Sequence, residues 1–225
     1  MKKNKKKKFK KIYWLFIDLA IAAVILVLLL HKPGRYTPPK PPADKQVSQY
    51  LTNELLPQLY NGIQRGEPFD LVMSEDGIND VIARSKWPKE SEGAEILAPQ
   101  VFFVPDGAVI MGSVVMKGLE FIVTVELRPV FDANGLLNLH IAQIKVGAMN
   151  LTPIARITAK KMYAQQLAES EVDTENILAK IVASLLNGEP FEPIFEVEKK
   201  EVRIEKISIT QGKLTARLIP LRNRS

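Results

Sequence analysis

The sequence contains no cysteine and only two histidines, His31 and His140. The first absence removes disulfides, thiol nucleophiles and thiolate metal sites. The second leaves no imidazole cluster, so a zinc or non-haem iron centre would need one histidine supported by carboxylates. No metal and no other cofactor is expected. Also missing are a P-loop, a dinucleotide fingerprint, a G-x-S-x-G elbow and an H-E-x-x-H pair. A serine triad would have to use His140, yet strand parity with Leu139 and Ile141 places that histidine on the polar side with Asn138. The carboxylate pairs Glu75 with Asp76 and Glu169 with Glu171 fall at helix ends, where negative charge is favoured without any catalytic role. Asp106 and Asp132 fall in turns, where their side chains bond the local backbone. The chain is expected not to be an enzyme.

Positive charge is scarce outside one place. Eight of the 31 lysines and arginines lie in residues 1–11, leaving 23 basic against 25 acidic residues in the remainder. That remainder has no excess charge with which to grip a phosphate backbone, so no nucleic-acid partner is expected. The lysine cluster instead flanks an apolar segment. Residues 12–30, IYWLFIDLAIAAVILVLLL, carry one acidic residue, Asp18, in nineteen, nearly enough helix to span a hydrocarbon core of about 30 Å. Lysines crowd the N-terminal side and only His31, Lys32 and Arg35 come after it, which puts the N-terminus in the cytoplasm and the rest outside it. Tyr13 and Trp14 stand where an interfacial aromatic belt would lie. A cleaved signal peptide fits less well, because the apolar run is long and HKPGRYTPP offers no small-x-small site.

The chain therefore divides into a basic cytoplasmic tail (1–11), a transmembrane helix (12–30), a proline-rich linker (31–43) and an extracytoplasmic domain (44–225). Five prolines in KPGRYTPPKPP favour an extended spacer reaching up to about 30 Å from the bilayer. In the domain, Asp44 can cap a helix with Val47, Leu51, Leu55, Leu59 and Ile63 along one stripe and a kink at Pro57. A strand over 69–73 leads into a helix capped by Ser74. From Ala98 to Val146, turns at Pro105-Asp106-Gly107, Lys117-Gly118 and Asn134-Gly135 separate four β-rich runs, an antiparallel meander. In the third run, Phe121, Val123, Val125 and Leu127 alternate with Ile122, Thr124, Glu126 and Arg128, so the first set faces a core and the second is mostly wet.

The fourth run breaks its own alternation. Leu137, Leu139 and Ile141 share one parity and Ile144 and Val146 the other, which requires an extra residue, a β-bulge near Ala142 or Gln143. The same slip separates Val202 and Ile204 from Ile207 and Ile209. Two such slips predict a strongly curved sheet or a change of packing partner within each strand. A helix opening at Thr152-Pro153, a second over 174–187 ending at Gly188, and a hairpin turned at Gln211-Gly212 complete an α+β fold: a curved antiparallel meander packed on amphipathic helices.

The stretch MSEDGINDVIARS (73–85), then QVFFVPDGAVIMGSV, then FIVTVELRPVFDANGLLNLHIAQIKVGAMNLTP, resembles bacterial membrane-anchored proteins of the YpmS and LmeA type. The shared elements are a strand, an acidic helix start with an asparagine (Asn79), a meander, and an exit into a helix over Gly147 to Pro153, two residues longer here than the usual compact form. The resemblance covers about half the chain, 69–167. It implies a tubular-lipid-binding-like fold with an apolar groove for a phospholipid or other acyl-chain ligand. The candidate lining residues are Phe121, Val123, Val125, Leu127, Leu137, Leu139, Ile141, Ile177, Ile181 and Leu185, which serve equally well as ordinary core. Two functions are consistent with these features: a membrane-tethered lipid-binding or lipid-shuttling module, or a structural and interaction protein of the cell envelope with a filled core and a protein partner.

Overall fold

The computed structural model describes residues 3–39, 46–91, 93–158, 161 and 177–221, with side chains from Tyr13 onward except those of Ser91 and Leu178. Asp44, Glu169, Glu171 and Thr174 lie outside them. The architecture is α+β with antiparallel sheets. Helix α1 (Lys3–Leu29) leads; α2 (Leu56–Arg65) and α3 (Glu75–Ala83) flank strand β1 (Phe69–Ser74). Next come strands β2 (Lys89–Ser91), β3 (Ala94–Ile96), β4 (Gln100–Val104), β5 (Gly107–Met116), β6 (Leu119–Phe131), β7 (Leu137–Val146) and β8 (Met149–Asn150). Helix α4 (152–158), helix α5 (Ile177–Asn187) and strands β9 (Ile194–Val197), β10 (Lys200–Thr210) and β11 (Lys213–Pro220) complete the chain.

One sheet has four strands in the order β1-β11-β10-β9. Its apolar face and α2 enclose a core of Ile63, Leu71, Val202, Ala216 and Leu218, joined by Leu55, Leu59 and Phe69. The expected stripe on α2 is thus the packed one from Leu55 onward, whereas Val47 is exposed. The cap is Ser48 rather than the expected Asp44: its Oγ accepts from Leu51 N–H at 3.3 Å. The expected kink at Pro57 takes the form of a π-turn, Leu51–Leu55, just before it. Proline has no N–H to donate one turn back, and the wider turn accommodates that loss.

The second sheet has seven strands, β2-β3-β5-β6-β7-β8 with β4 also paired to β5. Both expected phase slips are present. Glu126 pairs with Gln143 and Leu127 with Ile141, so Ala142 is the extra residue. On β10, Ile204 pairs with Leu218 and Lys206 with Arg217, so Glu205 is extra. Each bulge returns the apolar side chains beyond it to the face they would otherwise leave: Ile144 joins Val125 and Leu127, and Ile207 joins Ala216.

Along β4 and part of β7 the open edge of this sheet takes side-chain partners. Along β4, Asn79 of α3 accepts from Val101 N–H and donates to Val101 C=O, both at 2.8 Å, and Glu75 accepts from Phe103 N–H at 2.7 Å. The match is geometric, since four residues of helix advance about 6 Å and two of strand about 6.6 Å. Along β7, Leu139 N–H donates to Ser184 Oγ at 2.9 Å, Arg156 donates to Ile141 C=O at 2.5 Å, and Ile144 N–H donates to Thr152 Oγ1 at 2.8 Å. These contacts hold α4 and α5 against an edge that would otherwise present free backbone groups.

Among the described residues no helix is long and apolar enough to cross a membrane. The described side chains of α1 begin at Tyr13, and from there to Leu29 the helix is about 25 Å long against a core of about 30 Å. The expected span counts Ile12 and Leu30 as well.

Candidate functional site

Cross-strand partners in an antiparallel pair share a face, so the register of the seven-stranded sheet assigns every side chain to one of two surfaces. Phe121, Val123, Val125 and Leu127 stand with Val114, Gly112, Ile110 and Ala108 of β5. Across the other edge of β6, Val146, Ile144, Ile141, Leu139 and Leu137 join them. The result is a continuous apolar face over three strands, and it brings together all seven of the expected β-strand lining residues. Only Leu137 among those seven is buried, at 3% exposure; the others are half-buried.

The three helical candidates, Ile177, Ile181 and Leu185, recur every four residues on α5 and are also half-buried. Ile141 and Leu185 line a cavity of about 180 Å³ together with His140, Arg156 and Ser184. A larger cavity, about 570 Å³, is elsewhere, between Phe131 and the polar face of the small sheet, where Asp70 and Arg217 pair at 3.2 Å. Its lining of Glu205, Lys206 and Ser208 does not suit an acyl chain.

The opposite face of the sheet corrects an expectation. Ile122, placed with the wet set, is among the most deeply buried side chains at 1% exposure, and its cross-strand partner Ser113 is at 0%. The reason is the proline-rich segment, which lies on this surface instead of standing away from the domain as a spacer. Lys32 pairs with Glu120, Arg35 stacks 4.7 Å above the Phe102 ring, and Thr37 N–H reaches Gln100 Oε1 at 3.4 Å. Tyr36 is tucked between, its hydroxyl buried near the Ser113 backbone with no partner in hydrogen-bond geometry. Residues 31–39 therefore form a strap across β6, β5 and β4.

Charge on the strap is arranged for docking. The Lys32 ammonium, then the Ser113 hydroxyl at 2.6 Å, hold the Glu120 carboxyl below its usual range despite partial burial. Burial raises the Tyr36 phenol, with Glu120 adding to that effect and the Ser113 backbone opposing it. A second depressed carboxyl, Asp80, is held by Ser48 Oγ at 2.5 Å and Arg84 at 2.8 Å, locking the segment just before the π-turn to α3. None of these groups is grouped as catalytic machinery would be. His140 is exposed, opposite Arg128, and among the described residues no group of histidines and carboxylates could hold a metal ion.

The strap is what sequence reading missed; the β5 run reads as apolar on both parities, which leaves its residues unassigned to a face. Val114 and Ile110 were recoverable from the Lys117-Gly118 turn, which fixes the β5–β6 register. The Lys32–Glu120 contact joins residues 88 apart and has no local signal. The chain matches no protein-family model and no curated protein.

Proposed function

We propose that this chain is a non-catalytic lipid-binding or lipid-shuttling module on the outer face of a cell membrane. In this reading α1, with Ile12 and Leu30, spans the bilayer and the eight lysines of 1–11 remain in the cytoplasm. The support is physical: Trp14, Leu15, Phe16, Leu19, Val24 and Val27 are 59–69% exposed around the helix, and a helix apolar on all sides belongs in lipid. The observation that carries the lipid reading is the apolar face of β5, β6 and β7, whose side chains other than Leu137 are at most half-buried while the small sheet encloses a closed core. An acyl chain laid along that face would complete its burial at about 25 cal/mol per Å².

The second reading, an envelope interaction protein with a filled core, is favoured by the small size of the Ile141–Leu185 cavity, below the roughly 300–1,000 Å³ of ligand pockets. Mass spectrometry of organic extracts from the natively purified full chain separates the two. Lipid should co-purify with wild type and be depleted in Val125→Asp. Equal lipid in both, or none in either, would transfer the case to the interaction reading.

A further inference from the structure

We infer that the Met116–Leu119 hairpin is a bilayer-docking lip, seating the end of the apolar face against the outer leaflet; this rests on the anchored reading of α1. Because β5, β6 and β7 are antiparallel, Met116, Leu119 and Val146 lie at one end of the sheet. The anchor helix arrives at that same end. Ala148 N–H donates to Leu28 C=O at 2.8 Å, and Gly147, at φ 58°, packs so closely on the Leu28 and Leu29 carbonyls that a Cβ there would overlap them. Lys32 then fastens to Glu120, next to Leu119.

The lip has the composition of an interfacial contact. Met116 and Leu119 are register partners and extend the apolar face by one more pair beyond Val114 and Phe121. They are 45% and 44% exposed, in contrast to the half-buried pairs behind them. Between them Lys117 and Gly118 both have positive φ, 51° and 78°, a tight two-residue turn that Asn-Gly or Gly-Gly would make more easily. A lysine is held there at a conformational cost, at the tip, between two apolar side chains. Apolar groups that enter the acyl boundary beside a cation that meets anionic headgroups are the combination that binds a membrane surface. Lys32 neutralises Glu120, the carboxylate next to Leu119 in sequence. The strap occupies the opposite face of the sheet, which leaves the apolar face and its lip on the side away from it.

The native absence of cysteine makes the test direct. Single-cysteine full-length variants Leu119→Cys, Asn134→Cys at the far end of the sheet, and Leu26→Cys in the helix are labelled with an environment-sensitive fluorophore. Each is reconstituted in phosphatidylcholine vesicles containing some phosphatidylglycerol and quenched by spin-labelled lipid. Positions 26 and 119 should be quenched several-fold more than 134, and adding Lys117→Glu should reduce quenching at 119 without changing 26. Quenching at 26 with none at 119 overturns the docking and leaves the anchor standing. A label at 119 that is protected from solvent yet unquenched means a protein covers the lip, which also overturns it. No quenching at 26 overturns both.

Discussion

The two sheets are both antiparallel and each carries one bulged strand, but they treat their apolar faces differently. The four-stranded sheet closes on α2, leaving Val202 and Leu218 at 0% and 1% exposure. The seven-stranded sheet buries most deeply on the face that alternation marks as polar, where the strap covers Ile122 and Ser113. Over β5, β6 and β7 its apolar face remains half-buried apart from Leu137. One sheet is built as a scaffold, and the other keeps apolar surface that burial has not fully claimed.

Substitutions can break this contrast. The largest effect is expected in the closed core, where Leu218→Ala should destabilise the full chain by about 3 kcal/mol through lost burial and the cavity left behind. Denaturant titration in detergent micelles reads it. Asn79→Ala should come next at about 2 kcal/mol, because it strands both the N–H and the C=O of Val101. Hydrogen exchange should show the loss concentrated in β4. On the half-buried face, Val125→Ala should cost less than about 1 kcal/mol. An equal loss at Val125 and Leu218 would mean the two faces are alike and erase the distinction.

The smallest effect is acidic and local. Glu120 is depressed below its usual 4.5 when folded, so its pairing stabilises the docked strap above that pH. The stabilisation fades as pH falls through the lower folded value. Protection of residues 113–122 from hydrogen exchange should therefore fall at acid pH in wild type. In Glu120→Gln it should be lower at neutral pH and respond less to acid. An unchanged wild-type profile would show that the strap is held by Tyr36 and Arg35 alone.

What the sequence made legible was periodic. The slips at Ala142 and Glu205 could be read because a single extra residue inverts every later side chain, leaving its mark over a whole strand. The β6–β7 lining residues came from the same rule. The wet assignment of Ile122 failed because alternation says which residues share a face but not what covers it. The covering element here comes from residues 31–39, far away in the chain, whose prolines read as a spacer. The Ser48 cap escapes sequence reading for a related reason: Asp44 has the right chemistry, and the Ser48 contact to Asp80 that fixes the helix start is tertiary.

The central claim is that the apolar face of β5, β6 and β7 receives an acyl chain. A phospholipid with a photoactivatable acyl chain, incubated with the full chain and mapped by peptide mass spectrometry, tests it most directly. Crosslinks should fall on the stretch 110–146, especially at Val123, Val125, Ile141 and Ile144, and be competed by unlabelled phospholipid. Crosslinks confined to α1, or spread equally over the closed core of the small sheet, would contradict it.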